Sequence, residues 1–109
     1  MTDFKDRERA EEAKFAMDAD TAFRIAARRN RLLGHWAAEK MGLGPEETEA
    51  YAKAVIQADF EEAGDEDVIR KVLGDLTAAG VETNDSEIRE TLEHKTAEAK
   101  RQLIEAQGG

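Results

Sequence analysis

The side chains best suited to binding chemistry form one basic row in the first half of the chain. Its members follow i, i+4, i+7 and i+11 spacing, and they are Arg24, Arg28, Arg31 and His35. Residues with this spacing share one face of a helix. Guanidinium groups match the geometry of carboxylates and phosphates, so the row predicts a site for an acidic partner surface or for an anion. Binding of ATP or ADP there would be weak, because an exposed helix face does not enclose a ligand. Alternatively, the row is a solvated face paired with Glu39 or with acidic residues of the next helix.

An acidic segment resembles a calcium-binding loop in part of its spacing. Its residues at loop positions one, three, six, seven and nine are Asp59, Glu61, Gly64, Asp65 and Asp67. Ala63, however, occupies a ligand position, and Arg70 stands where the closing bidentate glutamate is required. A cation there repels a metal ion, so the segment is interpreted as an acidic turn between helices and no metal site is predicted.

Groups that could support catalysis are sparse elsewhere. His35 and His94 are far apart in sequence and lack the short spacings of zinc ligands. Glu90, His94 and Glu98 share one helix face, a pattern typical of solvated helix surface. The sequence has no cysteine, no Gly-rich phosphate loop and no Ser/His/Asp arrangement. We therefore expect a protein that is not an enzyme and that carries no cofactor.

Composition excludes several classes of partner. The formal net charge of -9 argues against nucleic acid, because phosphate recognition depends on an excess of Lys and Arg. No apolar run approaches the roughly 20 residues of a membrane-spanning helix, so no direct membrane insertion is expected. The start of the chain lacks the features of a secretion signal. Together with the absence of cysteine, this predicts a cytoplasmic protein.

The elements that must position these groups are helices. One proline in 109 residues, with abundant Ala, Glu, Lys, Arg and Leu, is typical of a small helical domain. The predicted helices cover residues 20–41 and 45–63, with a third starting after Asp65 and a fourth at Asn84. Short connections favour antiparallel neighbours. We predict an all-α fold, a four-helix bundle-like domain over residues 20–109 with a long first helix.

Three glycines and the single tryptophan give sharper predictions within this domain. Gly42, Gly64 and Gly80 each follow a helical pattern, at the place where a left-handed residue commonly closes a helix. Trp36 lies on an Ala- and Leu-rich helix face and is predicted to be buried.

Residues 1–19 form a separate segment. Charges of both signs alternate between Asp3 and Glu12, and Phe4 and Phe15 are the only large apolar residues between Met1 and Met17. The two rings fall on nearly the same face of a helix. Because so thin an apolar stripe cannot hold a helix on a core, we expect a mobile segment, disordered or a frayed helix when free, that becomes helical in a partner's groove. Alternatively, it is a charged, solvated extension of the first helix.

Several short runs of residues match one known family in order and spacing. The runs are residues 4–10, 14–16, 27–34, 36–40, 51–52, 58–60 and 64–68. They resemble the alphaproteobacterial zeta subunit family, whose members inhibit the F-type ATP synthase. The resemblance covers nearly the whole chain and is specific up to about Leu76.

The resemblance implies a regulatory inhibitor with a four-helix body. Its N-terminal segment would enter the catalytic α/β interface beside the central shaft and block ATP hydrolysis while sparing synthesis. The implied partners are the α, β and γ subunits, at the cytoplasmic face of the inner membrane. The residues that it places in the inhibitory segment are Phe4, Arg7, Glu8, Arg9, Glu12, Lys14 and Phe15.

Two other hypotheses follow from the residues alone. One is a small helical module that binds a nucleotide or another anion through the basic row. The other is a helical enzyme acting on an anionic metabolite, which is disfavoured because no acid/base pair accompanies the arginines.

Overall fold

The structure, a computed structural model, describes residues 19–59 and 64–108. Within these residues the chain forms four α-helices and no strand, which confirms the predicted all-α, four-helix class. The helices are α1 (Ala19–Met41), α2 (Pro45–Ala58), α3 (Glu66–Ala78) and α4 (Asp85–Gly108). The predicted mobile segment lies outside the described residues, apart from Ala19 at the start of α1. None of the described helices is long and apolar enough to cross a membrane.

Two helices end in the way that their glycines predict. Gly80 has a φ of 81°, and the N–H of Val81 donates to the carbonyl oxygen of Leu76 at 2.9 Å. Val81 also packs against the core cluster that contains Leu76, so the apolar contact of a Schellman motif is present. The same backbone pattern closes α1 at Gly42, whose φ is 74°.

The second helix is shorter than predicted, since α2 ends at Ala58 and not near Ala63. The carboxylates of Asp59 and Asp65 both contact one guanidinium group, that of Arg29, at 3.4 and 3.0 Å. A continuous helix would separate these two aspartates by about 9 Å along its axis, at roughly 1.5 Å per residue. The shared contact with Arg29 thus joins the end of α2 and the start of α3 to α1. Gly64 has the predicted positive φ, at 92°.

The hydrophobic core receives side chains from all four helices. Its buried cluster contains Leu33, Ala37, Val55, Val68, Ile69, Val72, Leu76, Ile88 and Leu92. α1 packs mainly against α2 and α4, so it is the central element of the fold. The α1–α2 contact is close at Gly34, where an added Cβ would lie only 2.8 Å from the Cα of Ala52.

Trp36 is only partly buried, so the prediction of a buried tryptophan is wrong. The core-facing positions on this part of α1 are taken by Leu33 and Ala37, which are fully buried. Trp36 packs at the edge of the cluster, and the Nζ atom of Lys40 lies 5.2 Å from the centroid of its ring. The ring therefore has one side against the core and one side in contact with a cation.

Candidate functional site

The basic row lies along α1, and two of its members meet a carboxylate of α2. Arg31 Nη2 donates to both oxygens of Glu49, at 2.9 and 3.1 Å. His35 Nε2 lies 3.1 Å from Glu49 Oε1, within ion-pair distance, although it makes no hydrogen bond. Both contacts connect α1 to the first turns of α2. The predicted pairing with an acidic residue of the next helix is thus present at Glu49.

The other two members of the row have weaker partners. Arg24 Nε lies 3.0 Å from Asp20 Oδ2 one turn earlier on α1, and both side chains are mostly exposed. Arg28 Nη1 donates to the amide oxygen of Gln102 on α4, at 3.2 Å. Among the described residues, Arg28 thus has an uncharged hydrogen-bond partner, in contrast to Arg24 and Arg31. Use of the row as an anion or partner site stays a prediction.

Arg29 lies at the centre of a cluster of polar side chains that the sequence patterns did not predict. The side chain of Arg29 is only 11% exposed and contacts Asp59 and Asp65, while its Nε donates to Asn30 Oδ1 at 3.1 Å. Asn30 is itself buried. The available signal was the i, i+4 spacing of Arg29 to Leu33, which places Arg29 towards the core side of α1.

This cluster explains the acidic turn that resembles a calcium loop. Asp59 and Asp65 face the guanidinium group of Arg29, and Asp67 Oδ1 accepts from Arg70 Nη1 at 3.2 Å. Arginine side chains therefore pair with three of the acidic residues in this segment. Across the described residues, no group of His, Cys, Asp or Glu is arranged to hold a metal ion.

An open groove of about 610 Å³ runs beside Trp36. Its walls come from α1, the start of α2 and one residue of α4: Leu32, His35, Trp36, Glu39, Leu43, Pro45, Thr48, Glu49 and Lys95. His35, a member of the basic row, and its partner Glu49 both line the groove, so the groove adjoins the row. Its shape is a shallow surface feature and not an enclosed ligand pocket.

Polar contacts also join α3 to its neighbours. The hydroxyl of Tyr51 on α2 donates to Asp75 Oδ2 at 2.8 Å, and Lys71 Nζ lies 3.1 Å from the same oxygen. Partial burial and the adjacent carboxylate raise the pKa of Tyr51 far above its ordinary value. Between α3 and α4, Arg89 donates to Glu66 at 2.8 Å, and this hydrogen bond lowers the pKa of the exposed Glu66 carboxyl.

Comparison with known proteins places this four-helix body in a family. The model of the family described as ATPase inhibitor subunit zeta matches residues 1–102. The chain belongs to this family. The match spans the N-terminal segment as well as α1, α2, α3 and most of α4.

A solved structure is similar to this chain in sequence and in fold. A protein whose structure was determined in solution by NMR is 49% identical, and the match covers 77% of this chain and 95% of that one, with a TM-score of 0.69. A comparison with proteins of curated function found no match. The resemblance identified from short runs of residues is confirmed by the family match.

Family membership does not test the individual inhibitory residues. Phe4, Arg7, Glu8, Arg9, Glu12, Lys14 and Phe15 all lie outside the described residues. Their assignment to a partner contact stays a prediction of the zeta family resemblance.

Proposed function

We propose that this chain is a regulatory inhibitor that blocks ATP hydrolysis by the F-type ATP synthase. The observation that carries the proposal is the family match, which spans residues 1–102 and so includes the N-terminal segment and the helical body. The segment inserts as a helix at the catalytic α/β interface, near the central shaft. The chain itself catalyses no reaction.

The position of α1 fits this mode of action. α1 begins at Ala19, the last residue of the segment, so a segment that becomes helical on docking can continue the same helix. Eighteen additional helical residues would extend α1 by about 27 Å, at roughly 1.5 Å per residue. Such a rod could reach into a groove while the four-helix body stays outside.

The side chains of Phe4 and Phe15 are the apolar anchors of such a helix. On a helix these rings lie on nearly the same face and about 16 Å apart, since each residue adds roughly 1.5 Å. Spaced apolar anchors with charged residues between them are how amphipathic helices bind grooves. Five of the segment's charged residues then contact the polar rim, namely Arg7, Glu8, Arg9, Glu12 and Lys14.

The proposal also sets the partners and the location. The segment contacts α, β and γ subunits, because the catalytic interface and the shaft meet at the insertion site. The chain is cytoplasmic and associates with the inner membrane only through the ATP synthase. It binds no nucleic acid, in keeping with its net charge of -9.

The experiment is a titration of ATP hydrolysis and ATP synthesis by the purified enzyme with the full chain. We expect hydrolysis to fall and synthesis to persist. Deletion of residues 1–17 should abolish inhibition and leave the unfolding midpoint of the body almost unchanged. A truncated chain that inhibits at the same concentration as the full chain would contradict the docking mechanism.

Single substitutions test the anchors. Phe4→Ser and Phe15→Ser should each weaken inhibition, by about tenfold or more if the ring is a binding hot spot worth at least about 1.4 kcal/mol. Ala13→Ser is the control, since Ala13 lies on the opposite face of the same helix, and it should inhibit like the unchanged chain. Equal potency of all three variants would exclude the two rings as anchors.

A further inference from the structure

The basic row retains uncompensated positive charge on the surface of an acidic protein. Its three guanidinium groups and one imidazole face two carboxylates, those of Asp20 and Glu49. Glu49 serves both Arg31 and His35. The member with no carboxylate partner among the described residues is Arg28, which is exposed at the middle of the row.

The environment of Arg28 leaves it available to a partner. Its guanidinium group is held by the amide oxygen of Gln102, whose Nε2 donates in turn to Glu98 at 3.4 Å. Glu98 also pairs with Lys95 at 3.3 Å. A neutral, exposed hydrogen bond is worth little, so an incoming carboxylate can replace it at small cost and form a stronger, charge-assisted contact.

We propose that the outer face of α1, centred on Arg28 and flanked by Arg24 and Arg31, docks on an acidic protein surface of the ATP synthase. This inference rests on the proposed function, to which it adds a second contact made by the body. The partner is identified by charge complementarity, because a row of guanidinium groups recognises carboxylates arranged along a surface.

The geometry of the row favours a protein surface over a compact anion. From Arg24 to His35 the row extends about 16 Å along α1, at roughly 1.5 Å per residue. A single phosphate group cannot contact guanidinium groups spread over this length, whereas a row of acidic side chains can.

A second contact, made by the body, would strengthen the binding of the inhibitory segment. A segment that becomes ordered only on binding loses conformational entropy, which weakens its affinity. If the body docks first, the segment is held near its groove at a high effective concentration. Docking through exposed charges also accelerates association, because opposite charges steer the two proteins together.

The test compares Arg28→Glu with Arg101→Glu in the full chain. Arg101 is a matched control, since it is a 67% exposed arginine on α4 with an intrahelical partner, Glu105, at 3.8 Å. Association with the purified catalytic complex of α, β and γ subunits is measured by surface plasmon resonance at several salt concentrations. We expect the association rate of Arg28→Glu to fall about tenfold and to lose much of its salt dependence. Arg101→Glu should stay within about twofold, as expected for a charge outside the interface.

Three other results would overturn the inference. If the unchanged chain inhibits hydrolysis and Arg28→Glu associates equally fast, the body does not dock through this face, although the proposed function stands. If the unchanged chain neither binds nor inhibits, the proposed function fails together with the inference. If Arg28→Glu associates normally but loses amide shifts that inorganic pyrophosphate causes along α1, the row is a small-anion site. Equal unfolding midpoints of the two variants establish that each is folded.

Discussion

Arg28 and Arg29 are neighbours in the sequence, yet they belong to two faces of α1 with different tasks. Arg29 is almost buried and contacts two aspartates that flank the α2–α3 connection. Arg28 is exposed and donates to a neutral amide of α4. The first guanidinium group holds three helices together, and the second leaves its charge available. The comparison shows that the face of α1 on which an arginine lies decides its role. An arginine on the inner face pairs with aspartates and stabilises the fold, whereas one on the outer face can bind a partner.

The largest expected effect separates the two arginines directly. Arg29→Met should destabilise the body by about 2–4 kcal/mol, because it leaves Asp59 and Asp65 facing each other without a cation. The expected loss is below that of a fully buried pair, since the side chain of Asp65 is 48% exposed and water screens it. Arg28→Met should change the free energy of unfolding by no more than about 0.5 kcal/mol.

Urea denaturation followed by circular dichroism measures both variants. If Arg28→Met and Arg29→Met lose equal stability, the distinction between an inner and an outer arginine is wrong.

A glycine pair tests the packing side of the same comparison. Gly34→Ala places a Cβ 2.8 Å from the Cα of Ala52, so α1 and α2 must move apart. We expect a loss of about 1–3 kcal/mol, as in other overpacked cores. Gly74→Ala is the control on α3, where no atom lies within 4 Å of the added Cβ. It should instead stabilise by about 0.5–1 kcal/mol through helix propensity.

Thermal unfolding midpoints give the signs of the two changes. A stabilising Gly34→Ala would mean that the two helices are not in close contact at this point.

The smallest expected effect concerns Tyr51, the only tyrosine of the chain. Its pKa is raised in the folded state, so the folded chain keeps the phenolic proton at a pH where the unfolded chain releases it. The resulting stability is complete below the ordinary tyrosine pKa of about 10 and is lost progressively above it. Absorbance at 295 nm should show no phenolate near pH 10 until the chain unfolds.

Asp75→Asn separates the two causes of this shift. Removing the carboxylate but not the burial should bring the Tyr51 titration closer to its ordinary range. Tyr51→Phe should cost about 0.5–1.5 kcal/mol at neutral pH, the usual value of one hydrogen bond. A phenolate that forms normally at pH 10 in the folded protein would show that Tyr51 is not held by Asp75.

Local signals explain why the helices could be predicted. Pro45 opens α2, and Gly42 and Gly80 close α1 and α3 with positive φ. Asn84 Oδ1 accepts from the N–H of Glu87 at 2.9 Å, so the predicted cap at the start of α4 is present. These signals act between residues only a few positions apart, and they need no knowledge of the fold.

The end of α2 shows where local signals are insufficient. The residue that predicts an end is Gly64, which stands six positions after the observed end at Ala58. Asp59, the residue that follows α2, contacts Arg29, which lies 30 positions before it in the sequence. A contact over that distance does not appear in any pattern of neighbouring residues.

The sequence by itself determined the all-α class, three helix caps and membership of the zeta family. Only the tertiary structure decided which charges are neutralised and how deeply Trp36 is buried. Glu49 neutralises Arg31 across 18 positions, and Gln102 meets Arg28 across 74. The physical reason is that helix formation and capping depend on groups within about one turn of each other. Partners between helices depend on how the helices pack, and no single helix carries that information.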